Sequence, residues 1–157
     1  MGTLKRILVD AEKCAGCRCC EMACSFHHDG AFSPSHSRVT VLKEDRYGLD
    51  YPVLCHQCSR CPPVEACPAE ALTKTASGTV QIDEGACTGC GACIEACTFE
   101  AVKLDGSKVI VCDLCGGSPV CVVRCPTGAL EYVETGEDPV HPNAVFKALM
   151  RRWNIVA

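Results

Sequence analysis

Apolar residues along the chain come in short bursts. "KRILV" (5–9), "TVQI" (79–82) and "KVIV" (108–111) each read as a short strand running into a cysteine-rich loop. Apolar pairs follow those loops, "AL" at 71–72 and 129–130 and "AV" at 101–102, and lead into return strands such as "LEYV" (130–133). Short helices have room only between the third cysteine of a loop and the proline that follows. The tail alone has a helical period: Pro142 can open a helix, after which Val145, Ala148, Leu149 and Trp153 form one apolar stripe. The pattern predicts a small α+β chain, and no stretch approaches the roughly 18 apolar residues of a membrane span.

Composition changes this picture at one point. The chain has 157 residues, room for one compact domain or two very small ones, yet aromatics make up only 5%. Seventeen cysteines force a choice between a disulfide scaffold and a metal protein. Disulfide scaffolds belong to secreted chains, and the opening "MGTLKRILVDAEKC" has no apolar signal-peptide core. The expectation is a soluble cytoplasmic protein whose reduced cysteines bind metal, the metal filling an interior that side chains do not. The formal charge is −4 with thiols neutral. Each oxidised cubane cluster would add about −2, from four thiolates on a core of about +2. With no basic stripe either, nucleic acid is not an expected partner.

An internal duplication sorts the cysteines. "VDAEKCAGCRCCEMAC" (9–24) aligns without a gap on "IDEGACTGCGACIEAC" (82–97), pairing Cys14, Cys17, Cys20 and Cys24 with Cys87, Cys90, Cys93 and Cys97. Cys19 falls on Ala92 and is the surplus residue. "VLCHQCSRCPPVEACPAEAL" (53–72) resembles "IVCDLCGGSPVCVVRCPTGAL" (110–130). Four groups result. Groups I and III read C-x2-C-x2-C-x3-C. Group II is Cys55, Cys58, Cys61 and Cys67; group IV is Cys112, Cys115, Cys121 and Cys125.

Zinc sites usually use two C-x2-C pairs. Three cysteines within seven residues instead suit three corners of one [4Fe–4S] cubane. The x3 spacer is about one helical turn and carries the fourth thiolate ~5 Å along the axis. In the bacterial run C-x2-C-x2-C-x3-C-P that last cysteine serves the other cluster of a pair. Gly16, Gly89 and Gly91 let backbone N–H groups approach sulfur. Four such groups predict four [4Fe–4S] clusters. Structural zinc sites, or a three-cluster variant in which the altered group II drops out, are the alternatives.

These motifs resemble the four-cluster ferredoxin-like electron-transfer subunits of multisubunit redox enzymes, of the dimethyl sulfoxide reductase, formate dehydrogenase and hydrogenase-associated type. The resemblance covers roughly residues 4–133. It implies two interleaved ferredoxin-like modules related by a pseudo-twofold axis, one from 1–54 and 108–135, the other from 55–107, followed by a tail at 136–157. It also implies four ligand sets: Cys14, Cys17, Cys20 and Cys125 for cluster one; Cys55, Cys58, Cys61 and Cys97 for cluster two; Cys87, Cys90, Cys93 and Cys67 for cluster three; Cys112, Cys115, Cys121 and Cys24 for cluster four. Cys19 is not a ligand. Group II departs from the family's usual C-x2-C-x4-C-x3-C: Pro63 stands where the third cysteine is expected. Cys61 is expected to bind nonetheless, its loop re-routed by Pro62 and Pro63. "CSFHHDGAFSPSHSRVTV" (24–41) is most similar to the small subunits of tungsten- or molybdenum-pterin aldehyde oxidoreductases.

The implied function is electron transfer, with catalysis on a partner. That partner is a tungsten- or molybdenum-pterin large subunit acting on an aldehyde; a flavin/NAD- or ferredoxin-interacting subunit is a second partner of this kind. No G-x-G-x-x-G, P-loop or Ser/His/Asp grouping offers another activity. Other readings are a free-standing polyferredoxin, a subunit of a carbon monoxide dehydrogenase, hydrogenase or formate dehydrogenase, and an enzyme with an open cluster iron. The last conflicts with sixteen ligands in four full sets. His27, His28, His36, His56 and His141 are read as loop hydrogen-bonders, with His56 also tuning a cluster, and Cys19 as a small buried hydrophobe. The tail's stripe packs either on the chain itself or on a partner, including a second copy.

Overall fold

The computed structural model describes residues 2–155. Its strands form four separate antiparallel pairs: β1 (Leu4–Val9) with β8 (Leu130–Thr135), β2 (Thr40–Glu44) with β3 (Leu49–Val53), β4 (Leu72–Lys74) with β5 (Val80–Ile82), and β6 (Lys103–Asp105) with β7 (Lys108–Ile110). Three pairs are hairpins. The fourth joins the two ends of the duplicated region, with Arg6 opposite Val133 and Val9 opposite Leu130. The expected strands before the cysteine loops are present. The β2–β3 hairpin was not anticipated, although Val39 and Val41 are buried at alternate positions, as are Leu49, Tyr51 and Val53.

Helices α1 (Cys19–Asp29), α2 (Pro62–Ala66), α3 (Ala92–Ala96) and α4 (Val120–Val123) each follow a cysteine loop, and α5 (Pro142–Arg152) forms the tail. α1 packs on α4, and α2 on α3. α1 and α3 begin at equivalent positions of the duplication, each after a left-handed residue, Arg18 (φ 62°) and Gly91 (φ 81°). α1 is the exception to the expected short helices. Nothing after Cys24 breaks it, so it runs for 11 residues until Gly30 (φ 66°) caps it.

The apolar core is divided into three thin clusters, and cysteines are part of each. Ile7, Leu54, Leu114 and Leu130 surround Cys20, Cys24, Cys112 and Cys121. Leu72, Val80, Val102 and Val109 surround Cys93. The third cluster, Leu49, Tyr51, Val53 and Ala101, is covered by α5 through Val145, Phe146, Leu149 and Met150. Phe146 meets Tyr51 edge-on at 6.0 Å. The tail's apolar face thus lies on its own chain. It is also rotated from the expected stripe: the large Phe146 and Met150 turn inward, Ala148 faces solvent, and Trp153, at the helix end, is 42% exposed.

Candidate metal centre

The four cysteine loops share one backbone device. The second spacer residue of each C-x2-C is left-handed: Gly16 (φ 60°), Gln57 (φ 52°), Gly89 (φ 67°) and Leu114 (φ 57°). For a non-glycine residue this costs about 1–2 kcal/mol, so groups II and IV hold the turn against strain. Leu114 is anchored in the core. Gln57 is fully buried and bridges two elements: its Nε2 donates to the Cys112 carbonyl at 2.8 Å, and its Oε1 accepts from the Val80 N–H at 2.7 Å.

Sulfurs from different groups are brought together. Burial, and then the charges of Asp50, Cys17 and Cys125, push the Cys14 thiol above its ordinary value. Burial takes Cys20 to about 12, with Glu21, Cys14 and Cys17 adding to it. Cys121 is likewise pushed up to about 12 by burial, with Cys24, Cys115 and Cys20 adding. Burial and repulsion from Cys61 and Cys97 raise Cys58. Burial and repulsion from Cys67 and Cys87 raise Cys93. Such thiols cannot all ionise on their own; a cationic iron core removes the conflict. No two cysteines form a disulfide.

The last cysteine of a group behaves differently. Burial alone would raise Cys125, but the Thr127 hydroxyl and the backbone N–H groups of Thr127, Ala129 and Leu130 leave it below its ordinary value. Cys67 is lowered by backbone N–H groups, Leu72 foremost. The Ala129 and Ala101 N–H groups lie 3.3 and 3.5 Å from the sulfurs of Cys125 and Cys97, four residues back. Left-handed Glu70, Glu100 and Gly128 make the turn three residues after Cys67, Cys97 and Cys125. Group I has no such turn because α1 continues. Its donor is the Arg38 N–H, 3.3 Å from the Cys24 sulfur, delivered by the returning loop.

Cys55, Cys58, Cys61 and Cys97 line one apolar hollow, with Pro62, Pro63, Leu72, Val80 and Phe99. Cys61 precedes α2, and Pro62 is the first residue of that helix. His56 lines the hollow too; burial takes it down to about 4, and it packs edge-on against Phe99 at 4.7 Å. Phe99 in turn stacks on His141 at 5.6 Å. Beside this site Arg6 is fully buried with Nε and Nη2 unpartnered, as is His56 Nε2. Soft donors in fours, and buried N–H groups awaiting an acceptor, fit an anionic iron–sulfur group.

Three of the histidines make hydrogen bonds, His28 Nε2 with Asp113 at 3.2 Å, His36 Nε2 with Asp105 at 3.0 Å, and His141 Nε2 with the Thr98 carbonyl at 2.8 Å, although His27 and His28 lie in α1 rather than in a loop. His27, His28 and Cys115 place their donor atoms within 4.8 Å of one another, but this is the edge of group IV rather than a separate site. Cys19 is not the buried hydrophobe expected. It begins α1 on the exposed side, because that helix buries Cys20, Glu21, Cys24 and Ser25. Sequence reasoning passed over Arg6, Gln57 and Arg38. Their types suggest surface residues, and no spacing rule marks them.

Residues 80–103 match the family described as 4Fe-4S binding domain. A polyferredoxin-like subunit of an aliphatic sulfonate oxidoreductase from Pyrococcus furiosus is 43% identical over 141 residues, covering 86% of this chain and 81% of that one. The chain belongs to the polyferredoxin-like iron–sulfur electron-transfer subunits. An iron-sulfur protein of Rhodospirillum rubrum is 32% identical to this polyferredoxin-like chain, over 82% of it and 81% of the relative. A chain of the solved active-site complex BamBC of benzoyl coenzyme A reductase superposes with a TM-score of 0.53 at 27% identity, covering 97% of this chain and 93% of that one. No helix among the described residues is long and apolar enough to cross a membrane.

Proposed function

We propose that this chain holds four [4Fe–4S] clusters and relays electrons between the active site of a catalytic subunit and an external donor or acceptor. The four ligand sets are those implied by the family resemblance, each taking three cysteines from one group and the last cysteine of another. The observation that carries this is the sulfur neighbourhoods: Cys14 feels Cys125, Cys121 feels Cys24, Cys58 feels Cys97, and Cys93 feels Cys67. The packing of α1 on α4 and α2 on α3 supports two ferredoxin-like modules around a pseudo-twofold axis. The shared hollow supports Cys61 as a ligand.

When bound, the clusters supply one-electron chemistry at potentials set by charge, hydrogen bonding and exposure. The protein's part is to fix them close together, exclude water and supply N–H donors to sulfur. A catalytic partner is supported by the oxidoreductase complexes to which the Pyrococcus relative and the BamBC neighbour belong. From the 24–41 segment we assign that partner to the tungsten- or molybdenum-pterin class, with an aldehyde as substrate. Anaerobic purification tests both levels. About sixteen iron and sixteen sulfide per chain are expected, with a pterin-containing large subunit co-purifying. Zinc in place of iron defeats the first reading, and a chain that purifies alone defeats the second.

A further inference from the structure

Arg6 is a buried cation without an adequate anion. Its side chain is 0% exposed. Nη1 donates to the Glu137 carbonyl and lies 3.8 Å from the Asp138 carboxylate, which is 64% exposed and largely screened by solvent. Nε and Nη2 have no partner. A guanidinium does not deprotonate, so burying it half-paired is strongly unfavourable unless an anion lies nearby. The segment after β8 holds it over group II. Ser59 Oγ donates to Asp138 at 3.1 Å, beside Cys58, and His141 is bonded to the Thr98 carbonyl, beside Cys97. His56, which lines the same hollow, is likewise buried with its Nε2 unpartnered.

We propose that Arg6 is an electrostatic positioning residue for the cluster held by Cys55, Cys58, Cys61 and Cys97, holding its reduction potential above the value this apolar hollow would otherwise impose. The inference rests on the four-cluster reading. Reduction adds one electron from a neighbouring cluster or an external reductant, taking the net charge from about −2 to about −3. An apolar lining penalises that added charge, and the same low dielectric strengthens its attraction to a fixed cation. No proton is needed, because the compensating charge is permanent.

The test is an anaerobic redox titration of the cluster-loaded full chain with dithionite, followed by electron paramagnetic resonance. Arg6→Met is expected to lower one of the four midpoint potentials by at least a tenfold change in equilibrium, 59 mV for one electron. The shifted signal is the one perturbed in Cys61→Ala. Arg6→Lys, which keeps the charge, is expected to retain most of the wild-type potential. Four unchanged potentials in Arg6→Met, or equal falls in both variants, overturn the proposal. If Arg6→Met does not load, Arg6→Gln serves instead: a neutral side chain that can still donate to the Glu137 carbonyl is expected to lower the same midpoint, and an unmoved midpoint overturns the proposal. Iron and sulfide on the same samples keep the two readings apart. A full complement with no shift refutes the role of Arg6 alone, whereas a deficit in wild type refutes the four-cluster reading.

Discussion

Gly16 and Gly89 make the same left-handed turn, but a side chain would meet different neighbours. A Cβ on Gly89 would lie 2.9 Å from the Ser107 carbonyl oxygen, which is backbone; on Gly16 it would lie 2.5 Å from the Asp50 carboxyl, the end of a side chain that can swing away. Gly89→Ala is therefore expected to be the more damaging, costing about 1–2 kcal/mol for the turn plus the clash. On the proposed count of four clusters, iron content should fall by about a quarter in Gly89→Ala and less in Gly16→Ala, measured by metal analysis after anaerobic purification. Gln57 is the complementary case. Gln57→Leu leaves the Val80 N–H and the Cys112 carbonyl without partners, at about 1–3 kcal/mol each. Visible absorbance should bleach at a lower temperature than in wild type. Cys19→Ala is expected to change neither iron content nor absorbance, because Cys19 sits outside the proposed quartets and faces solvent.

At the scale of elements, the strands flanking the cysteine loops were readable because apolar pairs and cysteine spacing are local signals, whereas the β2–β3 hairpin was not. Groups I and III also declare their turns through glycine. Gln57 and Leu114 take the same conformation without that signal, because contacts from Val80, Cys112 and the core hold them there. Long-range packing of this kind leaves no trace in a window of the sequence. The tail shows the same division. Its helix was evident from Pro142, but the face it buries was decided by Tyr51 and Leu49, about a hundred residues earlier. Leu149→Ala should cost about 2–5 kcal/mol in denaturant unfolding of the loaded protein. Trp153→Ala should stay within about 0.5 kcal/mol. Equal effects would mean that the helix docks by the stripe first read from the sequence.

Across the whole molecule, three thin apolar clusters separated by sulfur leave little to hold the chain once the metal is gone. Stripping iron with a chelator under oxidising conditions is expected to unfold it outright, with loss of far-ultraviolet dichroism and an increased hydrodynamic radius. Retention of the folded radius without iron would show that the side chains suffice. The mixed helix-and-strand order around the cysteine loops was accessible because a duplicated cysteine pattern constrains it. The buried Arg6 and the Arg38 N–H were not, since both act across loops whose paths no periodicity encodes.

The pairing of β1 with β8 bears on how the protein is made. Leu4–Val9 leaves the ribosome long before Leu130–Thr135 and has no partner until that strand emerges. On the proposed quartets, Cys14, Cys17 and Cys20 wait just as long for Cys125, whereas groups II and III are complete once residue 97 has been translated. The central pair of cofactors can therefore be inserted once residue 97 has emerged, and the outer pair only once residue 125 has. On those quartets the first cysteine loop stays one ligand short throughout that interval.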